Sequence, residues 1–446
     1  MTNNAFNNIK EKEKVSISEL VPGWTITGND LGEFYKNLED LDCRTQYDKC
    51  KLNELSFLSI LSDEEVKELG YNPDVIPKKE KWPILPLSKF SDHTDVSLLR
   101  KDGIIPEGEN SEKLALFSEI EGVGGIIARP VAVNETETRV VSVPISSWAF
   151  NDLADRAGIS CTNISKRSLN RDKWLVEGFN ASDITLVSRV SKNKRMKKIL
   201  AVRGRIYEGF RQRPYVQSVQ EFLEQDLGAA TCIGWTISNE KVSLTLAFNE
   251  KCKEIKDFYP ELSDKDLTPI VTITTSDIGQ SAFKVNAGFR VGNFDLLLKS
   301  GSVSKIHDSY FKKNTLLKEV EKKCYNEFIA VPKEFARLLA IDVKHTASAI
   351  EEVLDFIKME KKEGLARIKK AVQQQLEQEM SFGRYTAYDI VNSLLTIQDR
   401  LVLRKMNGDI REMAESTKAR LVECIGQAIF CPFDTAKDEE YFLMPE

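Results

Sequence analysis

Between residues 183 and 301, seven β-patterned segments follow one another: "DITLVSRV", "ILAVRGRIY", "AATCIGWTIS", "KVSLTLAF", "PIVTITTS", "SAFKVNAGFRV" and "FDLLLKSG". Only one helical pattern, "VQSVQEFLEQDLG", interrupts them, with Ser218 and Glu221 at capping-box spacing and Gly228 as its stop. Parallel strands need a crossover for every pair, so a run of strands with a single helix among them must pair mainly antiparallel. "VSLTLAF" and "AFKVNAGFRV" alternate as strands with one wet face do, and "SNE" between two segments is a hairpin signal. The fold class that follows is α+β, an antiparallel sheet core with a long-helix C-terminal region.

The flanks divide the chain further. At 446 residues it is long for one hydrophobic core, so two or three units are expected. Residues 1–110 read as an acidic, partly irregular N-terminal arm. It carries helical patterns at "LGEFYKNLEDL" and "KLNELSFLSI", a capping box at Ser62 and Glu65, and four prolines over the stretch from Tyr71 to Asp95. Residues 111–310 form the α+β antiparallel-sheet domain. It opens on a strand at "ETRVVSVPI", a helix at "SSWAFNDLADRAGIS" ending at Gly158, and a second, basic helix at "TNISKRSLNRDKWLV". Residues 311–446 read as a helical region. The periodic helix is "IEEVLDFIKMEKKEGLARIKKAVQQQLEQEM", followed by "TAYDIVNSLLTIQDRLVLRKM" and "DIREMAESTKARLVECIGQAIF".

Several function classes lose support at this level. No stretch approaches the roughly 20 apolar residues of a membrane helix, and the first residues lack the apolar core of a secretory signal, so no membrane partner is expected and a cytoplasmic setting is. The eight cysteines form no CxxC pair and read as reduced, mostly buried thiols. "EGVGGI" at 121–126 lacks the Lys-Ser/Thr of a P-loop and reads as a turn or bulge. His93, His307 and His345 have no metal-ligand spacing, and no GxSxG elbow occurs. No catalytic residues, metal or cofactor are therefore assigned.

One charge feature remains. Residues 161–213 hold fourteen Lys or Arg against four acids, in a chain whose formal net charge is −5. In "KNKRMKKILAVRGRIYEGFRQR" the positions Arg203, Arg205, Tyr207, Arg211 and Arg213 are all odd, so an unbroken strand projects them from one face. Cations interleaved with rings suit a single-stranded nucleic acid, with phosphates on Lys194, Arg195, Lys197, Lys198, Arg203, Arg205, Arg211 and Arg213 and bases on Tyr207 and Phe210. The competing reading is a solvated edge strand or a protein interface, where lysines discourage aggregation.

The order of these segments is similar to that of a known family. "ISSWAFNDLADRAGISCTNISKRSLNRDKWLVEGF", then "ITLVSRVSKNKRMKKILAVRGRIYEGF", "TTSDIGQSAFKVNAGFRVGNF" and "RYTAYDIVNSLLTIQDRL" together resemble the phage/plasmid-like family known as domain of unknown function 932. The resemblance implies a bacteriophage or mobile-element origin and residence in the cytoplasm of the bacterial host. It implies no reaction. The expectation is thus a non-enzymatic nucleic-acid-binding protein, assisting replication or recombination as a homo-oligomer. The alternative is a virion structural or assembly protein acting through protein-protein contacts.

Overall fold

The computed structural model describes residues 20, 23–70, 72, 84–86, 123–128, 131–134, 137–139, 142–143, 145–159, 171–192, 197–207, 209, 211–279, 281–306, 312–358, 365–379, 385–397, 403–406, 409–412, 422 and 424–433. The elements that place the candidate site are, in chain order, β1 (Thr25–Gly28), α1 (Leu31–Arg44), β2 (Thr45–Lys51), α2 (Ser147–Arg156), β3 (Asp183–Val190) and β4 (Lys197–Gly204). They continue through α3 (Gln212–Leu227), β5 (Ala230–Ser238), β6 (Val242–Phe248), α4 (Asn249–Phe258), β7 (Leu267–Thr275), β8 (Phe283–Val291), β9 (Phe294–Lys305) and α5 (Lys313–Leu339).

The architecture is α+β. A six-stranded antiparallel sheet runs in the order β1-β5-β6-β7-β8-β9. Alternation divides its two faces. Trp235, Leu244, Ile273, Val285 and Val303 stand opposite one another on adjacent strands and enter one large core with α1, α3 and α5. The row beside it on the other face is Thr27, Thr236, Ser243, Thr274, Lys284 and Ser304, which is why the sequence pattern alternates.

A second sheet has three strands in the order β4-β3-β2. Its central strand β3 is buried from Ile184 to Arg189 because both of its faces are covered. Ile184, Leu186, Ile199 and Val202 face Phe150 and Leu153 of α2 with Leu175 of the 171–178 helix. Val187 and Ala201 face Ile278, in the turn between β7 and β8. A smaller four-stranded sheet joins Ile84–Pro86, Leu55–Leu61, Val123–Ala128 and Ser142–Val143.

Several sequence expectations change here. The segment expected as an N-terminal arm supplies strands to the sheets: Thr25 pairs with Ser238, and Thr45 with Arg189. "LSFLSIL" is a strand, not part of a helix, since a continuous apolar run has no period to separate the two and its β-sheet partners decide. Of "EGVGGI", the described part from Val123 onward lies in a strand and carries a bulge, as expected there: Gly124 is the extra residue where Leu58 pairs with Gly125 and Ser59 with Val123. Ser218 does not cap α3. It lies inside the helix with Oγ donating to the Pro214 carbonyl, and the N-cap is Arg211, whereas Gly228 at φ 83° does end it.

The C-terminal region keeps its helices but not their expected lengths. The long periodic segment is divided into Thr346–Phe356 and Leu365–Glu379. Leu403–Met406 and Asp409–Glu412 are strands that pair antiparallel where helices were expected. The longest described helix is α5, which the periodicity did not single out; it buries Leu316, Val320, Phe328 and Phe335 and contains Pro332.

Candidate functional site

The residues of the basic run do not form one strand. β4 ends at Gly204, a turn follows at Arg205 and Ile206, and α3 starts at Gln212, so the parity that aligned Arg203 with Arg213 is lost twice. A bulge at Leu200 also shifts β4 against β3: Ile199 pairs with Ser188, but Ala201 pairs with Val187. As a result Lys198, Ala201 and Arg203 lie across from Arg189, Val187 and Thr185, on the face turned into the protein.

Burial follows from that placement. Lys198 is 1% exposed, and its Nζ donates to the Leu20 carbonyl at 2.8 Å. Tyr207 is 7% exposed and its hydroxyl donates to the Asp277 carbonyl, so it is no platform for a base. Arg203 donates through Nε to the Ile278 carbonyl at 2.7 Å and through Nη1 to Asp152 at 3.1 Å. Lys197 meets Asp48 at 2.6 Å. Arg213 meets Glu39 at 3.3 Å and lies over the Tyr35 ring. Only Arg205 and Arg211 among the described candidates keep most of their side chain in solvent, 81% and 67%, with Asp183 and Glu39 at the 3.9 Å margin. Lys194, Arg195 and Phe210 lie outside the described residues, as do Lys166 and Arg167 of the basic helix.

The acids that meet these cations come from α1, β2, α2 and β3. Part of the charge imbalance along the sequence is therefore offset in space, where Asp48 meets Lys197, Asp152 meets Arg203 and Glu39 meets Arg213.

The buried members converge on the turn Ser276–Gly279. Asp277 is 3% exposed, and its Oδ2 accepts from Arg189 Nη2 at 2.5 Å and from Thr45 Oγ1 at 2.8 Å. Arg189 is fully buried and donates through Nη1 to Asn239 at 2.7 Å, while its Nε finds no partner among the described residues. Ser276 Oγ donates to the Glu240 carbonyl at 2.6 Å. Gly279 has φ 72°, and a Cβ there would stand 2.7 Å from Arg203 Nε. Four separate stretches of chain, around residues 45, 189, 205 and 239, are thus tied to one turn. A buried guanidinium needs a buried anion, and Asp277 provides it.

The titration behaviour around the turn reflects burial first. Burial pushes Tyr47 and Tyr207 well above the ordinary phenol range, reinforced by the Asp277 charge. Asp152 is raised by burial, against the opposing pull of Arg203. Asp42 of α1 is raised to about 6, again by burial, although the backbone amides of Arg213 and Gln212 favour its charged form. Its Oδ2 accepts from Arg213 N at 2.8 Å, so a side chain from α1 satisfies the N-terminus of α3.

Arg189, Asp277, Asn239, Thr45 and Asp42 were not picked out by the sequence reading. One signal was available: in "DITLVSRV" an arginine sits two positions from Val187 on an otherwise largely apolar β-patterned segment, and burial of such a strand calls for an acid elsewhere. Among the described residues, no group of three or more His, Cys, Asp or Glu side chains is placed to hold a metal ion. No described helix is long and apolar enough to cross a membrane. The described cysteines, Cys43, Cys50, Cys232, Cys252, Cys324, Cys424 and Cys431, are free thiols.

Comparisons with known protein families, with curated proteins and with solved structures find no match.

Proposed function

We propose that this chain is a non-enzymatic assembly protein of a bacteriophage or mobile element that works through protein-protein contacts. The phage or plasmid setting rests on the family resemblance in the strand and helix segments quoted from residues 145–401. The observation that carries the rest is the internal use of the basic run: Lys197, Lys198, Arg203 and Arg213 each bond within the fold. Cations so engaged cannot neutralise phosphates without giving up Asp48, Asp152 and Glu39 or, for Lys198, the Leu20 carbonyl. Large apolar side chains left in solvent, Trp174, Phe258 and Ile329, fit contacts with other chains better than contacts with a polyanion. Light scattering after size exclusion, without nucleic acid, is expected to show self-association that survives Arg205→Glu with Arg211→Glu. A monomer under these conditions refutes the proposal.

A second reading, a weak single-strand contact, is favoured by the exposure of Arg205 and Arg211. Two phosphate contacts limit the slope of log affinity against log salt to about −1.4. A slope near −3.5 would require about five neutralised phosphates and would restore nucleic acid as the leading partner.

A further inference from the structure

The two main sheets treat their edges differently. The outer strand β2 of the three-stranded sheet carries Asp48, Lys49 and Lys51, and the far strand β9 of the six-stranded sheet carries Asp295, Lys299 and Lys305. Charges of this kind discourage a further strand from adding. The opposite end of the six-stranded sheet is β1, and the run Trp24-Thr25-Ile26-Thr27-Gly28 has no charge at all. Thr25 and Thr27 are exposed and Ile26 is half-buried. On its outer side β1 has no paired strand among the described residues.

The surface behind this edge is uncharged as well. Thr27, Gly28, Gly234, Trp235, Thr236, Ser243 and Thr245 line a shallow groove of about 420 Å³ over β1, β5 and β6. A Cβ placed on Gly234 would meet nothing within 4 Å. No ionic repulsion from these residues opposes a neutral strand laid beside β1.

The geometry points to β1 as a homotypic edge: two copies of the chain pair antiparallel through Thr25–Gly28, about a two-fold axis at Ile26, and join their six-stranded sheets into one. An edge strand presents unpaired backbone N–H and C=O groups, so its natural occupant is another extended strand. The sequence selects a copy of itself. A two-fold at Ile26 sets Thr25 against the partner's Thr27 twice and Ile26 against the partner's Ile26, all β-branched pairs of the kind that stabilise sheets. It also places Trp24 beside the partner's Gly28, on the face where the chain's own Trp235 lies against Gly28; a Cβ at Gly28 would fall 2.4 Å from that indole. A closed two-fold contact of this kind is isologous and stops at two copies.

This inference rests on the assembly reading, and the test separates the two. Sedimentation velocity on the full chain compares the wild type with Thr25→Lys/Thr27→Lys and with Thr25→Lys/Thr27→Glu. Both positions are exposed, so neither variant perturbs the core. In the antiparallel register the first variant opposes lysine to lysine twice and is expected to weaken dimerisation by about tenfold or more, whereas the second opposes lysine to glutamate twice and retains it, now with salt sensitivity. Equal weakening in both variants overturns the antiparallel register. Association unchanged in the first variant overturns the edge but leaves an assembly protein using another surface. A monomeric wild type overturns both.

Discussion

Replacing Asp277 with alanine removes the one carboxylate that, among the described residues, bonds to the Arg189 guanidinium, which has no access to solvent. The loss has two parts. Breaking one side of a buried ion pair costs about 3–5 kcal/mol, because the remaining charge stays buried and uncompensated. Thr45 Oγ1 loses its 2.8 Å acceptor in the same oxygen, but its single hydroxyl proton can turn to the Leu41 carbonyl 3.0 Å away, so this adds no more than about 1 kcal/mol. Asn239 still accepts from Arg189, which holds the total toward the lower end. The expected destabilisation is about 3–4 kcal/mol, a large share of the stability of an ordinary domain. Urea unfolding followed by circular dichroism measures it, together with Arg189→Met and the double variant. Removing both charges should cost less than the sum of the single changes by about 1–3 kcal/mol. A single change below about 1 kcal/mol, or strict additivity, would show that the turn is not held by this pair.

Two further predictions concern neighbouring contacts. The folded pKa of Asp42, about 6, lies above its ordinary 3.8, so the native state binds that proton more tightly than the unfolded chain does. Stability attributable to Asp42 should rise as pH falls from about 6 toward 4 and be lost as pH rises through that window; Asp42→Asn, which keeps an acceptor for the Arg213 amide, should flatten this part of the urea-midpoint profile, and superimposable profiles would refute it. At Gly209 a Cβ would fall 2.1 Å from the Tyr47 ring, whereas at Gly234 it meets open space. Gly209→Ala should therefore lower the melting temperature clearly and Gly234→Ala hardly at all, and equal effects would mean that the Tyr47 contact is not tight.

The fold class was legible because the interior of the central sheet obeys a two-residue period: Val242, Leu244 and Leu246 face the core while Ser243 and Thr245 do not. β2 was not legible, since "TQYDKCK" has almost no apolar residue and becomes a strand only by lying against β3. "RKMNGDIRE" carried a hairpin signal, Asn-Gly between Met406 and Asp409, that the helical reading passed over. The candidate site was misjudged for a physical reason. Counting charges along the chain cannot show that Lys197 will find Asp48 or that Arg213 will find Glu39, because these pairs span about 150 residues or more. Nor does strand parity survive a bulge, and the one at Leu200 turns Lys198 and Arg203 inward.

The placement of β1 and β2 also sets a timetable for synthesis. On the ribosome, Thr25 must wait for Ser238 and Thr45 for Arg189, so the N-terminal strands emerge long before their partners. Until then β1 offers both backbone edges, uncharged and β-branched, to any extended chain nearby. On crowded polysomes the edge proposed to join a finished dimer is a point of premature association, and a chaperone that holds residues 20–51 would raise the yield of folded protein more than one acting on the C-terminal helices.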